Sequence, residues 1–188
     1  MELVDLIKSR RSIGVVDEKE VSDEIIKELL ETAVWAPNHK KTEPWKFRVI
    51  KGDGRIKLGK EMARIMKEKT ADLTEEEAQK KIEKAEKGPL RAPVIIIMAV
   101  SPSGIVPEIE EIVATGCAMQ NLLLSATEKG LATIVRTGDI AHYPELKPFL
   151  KLDENDKVIG LIYIGYPKKE FDIKGIRTPV EDKTIWFD

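Results

Sequence analysis

The sequence contains a single cysteine, Cys117, in a chain of 188 residues. One thiol excludes an internal disulfide framework and a zinc site built on several cysteines. The two histidines, His39 and His142, have no flanking ligand pattern, so we expect no metal centre. Cys117 lies in an apolar helical stretch, which favours a buried packing role over a reactive thiol.

Long apolar runs and a strong net charge are also missing. The longest apolar run, residues 94–100, is far shorter than the ~20 residues that cross a bilayer, and residues 1–12 are too charged for a signal peptide. The formal charge of -2, from 31 basic and 33 acidic residues, argues against a nucleic-acid partner. These features predict a cytoplasmic protein without membrane or nucleic-acid partners, folded as one domain over residues 1–188.

The familiar nucleotide and hydrolase motifs are absent. Gly52, Gly54 and Gly59 resemble a glycine-rich dinucleotide loop, but the third glycine is misplaced and residues 51–54 are better explained as a turn. The chain has no Walker-type lysine motif and no serine set in a nucleophile elbow. No pyrophosphate loop is therefore predicted, while a site for a single phosphate stays open.

Helices and strands are mixed along the chain. Ser22 is placed to cap a helix, and Thr74 with Glu77 fits a capping box ahead of another. Apolar or alternating runs predict strands over residues 45–49, 94–100, 131–135 and 157–164. Because helix outweighs strand and the two are interleaved, the sequence predicts an α+β fold.

One predicted helix is unusually long and apolar. Pro107 can start it and Gly130 can end it, so the intervening residues are expected to form one continuous rod. Its central part, residues 109–126, is apolar on nearly every side, which predicts burial all round. Such a helix belongs in the middle of a protein or between two subunits.

Three segments place polar residues where a plain core would not. Arg10, Arg11 and Ser12 stand where a short helix ends; they suit a phosphate, but alone they are better explained as partners of the helix end. Residues 35–45 form a polar loop flanked by aromatic side chains, and residues 135–138 follow a strand end with a glycine that admits a ligand. Each segment is a weak signal alone, and the combination is more specific.

Together these segments resemble the nitroreductase family over essentially the whole chain, and most closely its small bacterial branch with minimal subunits. The resemblance rests on Arg10-Arg11-Ser12, the Ala36-Pro37-Asn38-His39 element, the Pro44-Trp45 pair that opens a strand, the long apolar helix, the Thr137-Gly138 turn, and Arg177-Thr178-Pro179 near the C-terminus.

The resemblance implies a fold with a central mixed or antiparallel sheet flanked by helices, and a homodimer whose interface is built on the long helix. It also implies one FMN per subunit at that interface, reduced by NAD(P)H and reoxidised by a small acceptor such as a nitroaromatic or a quinone, in a ping-pong cycle. The flavin would carry the chemistry, so no catalytic acid–base residue is expected. Two alternatives stay open: a related flavoenzyme for reductive dehalogenation or activated-alkene reduction, and a flavin-binding or purely structural dimer without turnover.

The resemblance also assigns residues to the phosphate end of the cofactor. Arg10, Arg11 and Ser12 would hold the phosphate and ribityl chain of FMN, and Arg177 would be a second phosphate partner. Many members carry Gln ahead of the Pro-Trp pair, where this chain has Glu43, so the usual contact with the pyrimidine edge of the flavin is not carried over.

The ring end of the cofactor is assigned to two further segments. The loop before the first strand would reach the flavin from the partner subunit, and the end of the third strand would pass beside the isoalloxazine and offer a backbone N–H towards N5. The residues assigned in this way are Trp35, Asn38 and His39 in the loop, and Val135, Arg136 and Thr137 at the strand end.

Overall fold

The structure is a computed structural model that describes residues 2–171 and 173–187. The α-helices of those residues are α1 (Leu3–Ser9), α2 (Asp23–Ala33), α3 (Asp53–Lys69), α4 (Glu75–Lys87), α5 (Glu108–Glu128) and α6 (Lys147–Leu150). The strands are β1 (Trp45–Lys51), β2 (Val94–Val100), β3 (Ala132–Arg136) and β4 (Lys157–Gly165). Both predicted caps form: Ser22 accepts from the Ile25 N–H, and Thr74 and Glu77 make a capping box.

The four strands form one sheet in the order β1-β2-β4-β3, and each neighbouring pair is antiparallel. The segment after α1 touches the free edge of β3, where Ser12 bridges Thr133 in parallel and the Ile13 N–H donates to the Thr133 carbonyl at 2.8 Å. This contact places the chain's first polar segment beside the third strand. The predicted α+β class, with helices flanking an antiparallel sheet, is confirmed.

Helices cover both faces of the sheet, which explains why β2 is apolar at every position. Ile96 and Met98 of β2 point into the core beneath α2 and α5, whereas Ile95 and Ile97 point into the core beneath α3 and α4. A strand buried on both faces reads as a continuous apolar run because neither set of alternating side chains meets water.

The long helix α5 is buried on one face and exposed on the other. Ala118 and Leu122 pack fully against the sheet, while Ile109 and Val113 remain 64% and 58% exposed. The burial on all sides that the sequence predicts is therefore not achieved within one chain, because the sheet and α2 cover only part of the helix. No α-helix of residues 2–171 and 173–187, α5 included, is long and apolar enough to cross a membrane.

Gly59 serves helix packing rather than a nucleotide loop. A Cβ atom at this position would collide with the backbone carbonyl of Glu86, so its absence lets α3 and α4 cross closely. The turn predicted over residues 51–54 is shorter than expected, because α3 already begins at Asp53, directly after Gly52 at φ +52°.

Candidate functional site

Two of the three polar segments meet at the free edge of β3. Helix α1 ends because Arg10 leaves the helical region at ψ 128°, and the extended chain that follows runs to the bridge between Ser12 and Thr133. Val135 lies only two residues after Thr133 on β3, next to the strand's last residue. Arg10 and Ser12 therefore lie beside the strand whose end carries Val135 and Thr137.

Arg11 differs from its neighbours in its contacts, because backbone oxygens already occupy much of its guanidinium. Its Nε donates to the Ile173 carbonyl at 2.7 Å, and its Nη1 donates to the carbonyls of Lys8 at 2.6 Å and Arg10 at 2.9 Å. The guanidinium also packs so tightly against Gly175 that a side chain there would collide with it. Arg11 thus fastens the C-terminal segment to the end of α1, and its predicted contact with the phosphate and ribityl chain of FMN stays a prediction.

Arg177 follows this anchored segment by two residues. It is exposed, and its Nη1 donates to the carbonyl of Ile176 at 2.7 Å. The structure brings the stretch that carries Arg177 near Arg11, but it directs the Arg177 side chain to its own backbone. Its predicted contact with phosphate stays a prediction.

The Arg136 side chain lines a cavity of about 400 Å³ between α3, α4 and the end of β3. The guanidinium lies over the ring of Tyr163, with 5.2 Å between the Cζ atom and the ring centroid. Its Nε is buried and has no hydrogen-bond partner among the residues that the structure describes. Lys84 and Arg91 line the same cavity, so its walls are cationic, while Met62 supplies apolar surface.

The pKa of the Tyr163 hydroxyl reflects the positive charge around this cavity. Burial raises the pKa of its hydroxyl, and the positive charges of Arg136 and Arg91 act in the opposite direction. Nearby on β3, the Thr133 hydroxyl oxygen is also buried without a partner in the described part of the chain. The site therefore combines positive charge with unused hydrogen-bonding capacity, a combination that suits an anionic or acceptor-rich ligand.

The remaining polar segment is the loop at residues 35–43, which Asn38 holds by hydrogen bonds. The Asn38 Oδ1 accepts from the Glu43 N–H at 3.0 Å, and its Nδ2 donates to the Ala36 carbonyl at 3.4 Å. Lys40, Lys41 and Glu43 all have positive φ angles, which are uncommon for residues with side chains. Asn38 thus stabilises a strained turn here, and its predicted contact with the cofactor is not visible within one chain.

The same loop carries two exposed side chains to the start of α5. His39 Nδ1 lies 2.6 Å from Glu110 Oε2, and Trp35 is 85% exposed. A second cavity of about 390 Å³ lies between the loop and the exposed face of α5, with His39, Val113 and Cys117 among its lining. Cys117 packs against the core at this wall, as the sequence predicts, but it is half-buried rather than buried.

Within one chain the loop and the β3 segment are separated along α5. His39 contacts Glu110 in the first turn, whereas Val135 and Met119 both lie against Gly160. Glu110 and Met119 are nine residues apart on one helix, or about 14 Å along its axis. The structure therefore unites the first and third predicted groups and leaves the loop apart.

Comparison with known proteins identifies the family. The sequence profile described as the Nitroreductase family matches residues 7–166, which is most of the chain. The chain belongs to the nitroreductase family.

Individual relatives agree with this assignment. The protein named "Putative NAD(P)H nitroreductase YfhC" of Bacillus subtilis is 32% identical over 96% of this chain and 92% of its own length. The nitroreductase-like family protein of Bacillus cereus has a TM-score of 0.84 at 30% identity, covering 100% of this chain and 97% of that one. A Desulfovibrio desulfuricans structure, described as a "putative nitroreductase in complex with fmn", has a TM-score of 0.72 at 26% identity, covering 98% and 96%. The nitroreductase-like fold predicted by resemblance is confirmed.

Several residues of the site were not predicted from the sequence. Lys84 lies in α4 and Arg91 in the turn after it. They were not singled out because a run of charged residues usually indicates a helix face exposed to solvent. Tyr163 is concealed in the apolar run of β4, although a lone aromatic hydroxyl in an aliphatic strand is a usable signal. Gly14, whose missing side chain leaves room beside Arg136, gave no signal at all.

Proposed function

We propose that this member of the nitroreductase family is an FMN-dependent oxidoreductase that takes hydride from NAD(P)H and reduces a small acceptor. The observation that carries the proposal is the continuity of the site: Arg10 and Ser12 adjoin β3, and β3 leads to a cavity lined by Arg136, whose Nε has no hydrogen-bond partner in the described residues. The name of the Bacillus subtilis relative supports NAD(P)H as donor, and the Desulfovibrio desulfuricans structure supports FMN as cofactor.

The residues present fit FMN in the order in which its parts are joined. Arg10 and Ser12 suit one terminal phosphate, and the chain has no glycine-rich loop for a pyrophosphate. The buried Thr133 hydroxyl lacks a partner in the described residues and suits a polar linker, while the cationic cavity around Arg136 suits a flat ring with acceptor atoms on its edge. A ligand with a phosphate, a hydroxylated chain and a heteroaromatic ring meets all three requirements.

The chemistry supplied by bound FMN is acceptance of a hydride from NAD(P)H and return of two electrons to a second substrate. This chain's residues bind and orient the reactants. The backbone at Val135–Thr137 would support one face of the ring, and the apolar walls formed by Met62 and Leu161 would exclude water from its inner edge. No side chain of the site needs to donate or accept a proton, in keeping with the absence of a predicted catalytic dyad.

The homodimer is part of the proposal, because one chain leaves large apolar side chains uncovered. Ile109 and Val113 on α5, Trp35 in the loop, and Ile185 and Trp186 near the C-terminus are all mostly exposed. Packing α5 antiparallel against a second copy across a two-fold axis would cover the helix face. It would also bring the loop of one subunit towards the β3 end of the other, across the gap of about 14 Å along α5.

The test begins with the colour of the purified protein. We expect a yellow protein that releases FMN on heating and loses its colour with NADH or NADPH in the absence of oxygen. FAD as the main flavin would contradict the cofactor, and a yellow protein that keeps its colour would indicate a flavin-binding dimer without turnover. A colourless protein that cannot be reconstituted would leave only the structural alternative.

The acceptor is then found by steady-state assays with a nitroaromatic, a quinone, a halogenated phenol and an activated alkene. We expect the first two to be reduced fastest. Faster turnover of the halogenated phenol or the alkene would favour the corresponding alternative. The cytoplasmic location also stays a prediction, which cell fractionation would test.

A further inference from the structure

The lysines of helix α4 fall into two pairs with different surroundings. Lys80 and Lys87 each form an ion pair with a glutamate one turn earlier on the same helix, at 2.6 and 3.1 Å. Lys81 and Lys84 form no ion pair with the described residues, and both line the cavity between α3, α4 and the end of β3. The unpaired charges of α4 therefore lie on the side of the helix that borders the cavity.

The helix itself gains little from these two charges. The positions three or four residues from Lys84 hold no acidic residue: they are Lys80, Lys81, Lys87 and Gly88. Like charges at this spacing destabilise a helix. Lys81 has Glu77 four residues before it, but that carboxylate accepts from the Thr74 hydroxyl at 2.8 Å and completes the capping box. Helix stability therefore does not explain why lysine stands at both positions.

The cavity as a whole has an excess of positive charge. Its lining includes one acidic residue, Asp139, and five basic residues, which are Lys69, Lys81, Lys84, Arg91 and Arg136. Of the basic residues, Lys69 is neutralised by Glu145 at 2.6 Å. Asp139 is exposed and forms no ion pair within the part of the chain that the structure describes. A cleft lined by one sign of charge concentrates ligands of the opposite sign.

The other walls of the cavity suit an aromatic molecule. Met62 and Met66 line it from α3, and Tyr143 and Tyr163 also contribute to the lining. Thioether and aromatic side chains pack well against flat rings. The volume of about 400 Å³ is typical of a site for a small molecule. Because the end at β3 is assigned to the ring of FMN, the α4 wall is left for the second substrate.

We propose that Lys81 and Lys84 on α4 select an aromatic acceptor that carries a carboxylate. This inference rests on the proposed function and names the class of acceptor for that site. The two ammonium groups bind the carboxylate at the α4 wall, and the aromatic body lies between the methionine and tyrosine side chains. A lysine is a compact charge on a flexible stem, so it can follow an anion without fixing its geometry. The lysines determine specificity and take no part in electron transfer.

The test uses two acceptors that differ in charge and little in shape, para-nitrobenzoate and para-nitrobenzamide. With either one, each turnover consumes one NAD(P)H and one proton and converts the nitro group into a nitroso group and water. The charge preference is defined as kcat/KM for the benzoate divided by kcat/KM for the benzamide. Because every variant is compared with the wild type by this ratio, differences in flavin content and in intrinsic reactivity cancel.

We expect Lys81→Gln and Lys84→Gln each to lower the charge preference about threefold, and the double variant about tenfold, because each exposed ion pair contributes modestly. Lys84→Glu, which repels the carboxylate, should lower it further than Lys84→Gln. Lys80→Gln is the matched control, because it removes the same charge from the same helix but outside the lining of this cavity. An equal loss in Lys80→Gln would trace the effect to overall charge and overturn the inference.

Ionic strength provides a readout in the wild type alone. The charge preference should decline as the ionic strength rises from about 0.01 M to about 1 M, over which the Debye length falls from about 30 Å to about 3 Å. A preference that does not respond to salt would overturn the inference.

Equilibrium binding and thermal unfolding separate binding from a structural role. Benzoate has no nitro group to reduce, and calorimetric titration of the oxidised holoprotein should show its dissociation constant raised about threefold in Lys84→Gln. Since Lys84 has basic helix neighbours, the same variant should unfold at the wild-type temperature or slightly above it. A clear fall in that temperature, or a variant that does not fold, would make Lys84 a structural residue and overturn the inference.

The phosphates of NAD(P)H are a second source of negative charge, and the two half-reactions distinguish them from the acceptor. Anaerobic reduction of the holoprotein gives the dissociation constant of NADH or NADPH, and reoxidation of the reduced protein isolates the acceptor. We expect the lysine variants to change the second step and not the first. Weaker binding of the donor with an unchanged charge preference would assign the lysines to the donor's phosphates and overturn the acceptor class.

The wild-type protein separates this inference from the proposed function. A holoprotein that reduces both acceptors, with a charge preference that no lysine variant alters, would overturn the inference while the function stands. A protein that cannot bind FMN, or whose flavin NAD(P)H does not reduce, would overturn the proposed function itself. Flavin content and reduction by NAD(P)H are therefore measured before any variant is made.

Discussion

Asp156, which is buried, and Arg136, which is half-buried with a buried Nε, are two charged side chains that the chain treats in opposite ways. Asp156 is only 1% exposed, yet it accepts from Lys46 Nζ at 2.8 Å and from the Asp153 N–H at 2.9 Å. Burial by itself would raise the pKa of the Asp156 carboxyl, but these hydrogen bonds outweigh it and hold the pKa below its ordinary value. Arg136 has no such partners among the described residues.

The contrast separates groups that stabilise the fold from groups that await a ligand. When the partners of a charged group lie within the chain, its hydrogen-bonding capacity is already satisfied and it has little left to offer a ligand. The Arg136 Nε is a buried donor without a partner in the described residues, so it stays available to a ligand, and it lies in a cavity beside the candidate phosphate residues.

The apolar residues of α5 also fall into two groups, those covered within the chain and those left exposed. The inner face of α5 is covered by the sheet, while Ile109 and Val113 on its outer face meet solvent. A large exposed apolar strip on a helix is expected to find a protein partner. The three predictions below test both contrasts, between covered and exposed apolar residues and between paired and unpaired charges, beginning with the largest expected effect.

Val113→Asp should produce a monomer that has also lost FMN. A carboxylate placed in an apolar interface would be buried without a partner, so we expect the dimer dissociation constant to rise at least about a thousandfold, or about 4 kcal/mol. Analytical ultracentrifugation measures the mass, and absorbance in the visible range measures bound flavin.

Ile56→Asp provides the control, because Ile56 is an exposed apolar residue on α3, outside the lining of either cavity. It should remain a dimer with normal flavin content. A folded, yellow and active Val113→Asp monomer at micromolar concentration would show that the flavin site is complete within one chain.

Asp156→Asn should lower the free energy of unfolding by about 2–3 kcal/mol at pH 7, somewhat less than for a fully buried pair because Lys46 is partly exposed. The folded-state pKa of Asp156 is lowered, so its contribution is present above the unfolded pKa of about 4 and is lost as pH falls through the folded pKa. The free energy of unfolding, measured by urea titration at pH 7 and at pH 3, should therefore change more with pH in the wild type than in the variant.

Asp153→Asn is the matched control, because Asp153 contacts the same Lys46 with a side chain that is 81% exposed. Its loss should change the unfolding free energy by less than about 1 kcal/mol. Equal effects of the two variants would show that burial does not distinguish these carboxylates.

Arg10→Ala should weaken FMN binding at least about tenfold, because a charged hydrogen bond to phosphate contributes roughly 1.5–3 kcal/mol. Since no hydrogen bond or ion pair of the described chain uses the Arg10 side chain, thermal stability should change little. Arg64→Ala, which removes an arginine paired with Glu61 and Glu68 on α3, should leave the affinity unchanged. Titration of apo-protein with FMN decides, and an unchanged affinity for Arg10→Ala would remove Arg10 from the site.

Much of the fold follows from local sequence patterns. The caps at Ser22 and Thr74 mark helix starts within one residue, because a cap acts over three residues of chain. The strand predicted over residues 94–100 coincides with β2, and that predicted over 131–135 is displaced from β3 by one residue. The resemblance of the motifs was sufficient to identify the nitroreductase family, because the polar segments that carry it occur in a fixed order along the chain.

The site was predictable only in part, because its geometry depends on distant contacts. Arg11 appears equivalent to Arg10 in the sequence, yet it donates to Ile173, 162 residues away, and fastens the tail. Asn38 is assigned to the cofactor only by resemblance, and within one chain its side chain closes its own loop on Glu43, so the contact with the cofactor stays a prediction. Burial around α5 was overestimated, because periodicity reports which faces are apolar and not which neighbours cover them.

The sequence by itself determined the α+β class, the positions of caps and strands, and the polar segments that identify the nitroreductase family. These properties depend on residues within a few positions of one another, where backbone geometry alone sets the contacts. Only the tertiary structure decided that Gly14 lies against Arg136, that Tyr163 lies beneath that guanidinium, and that Ile109 and Val113 remain uncovered. Those contacts join segments far apart in the chain, and the sheet order that brings them together is set by packing both faces at once.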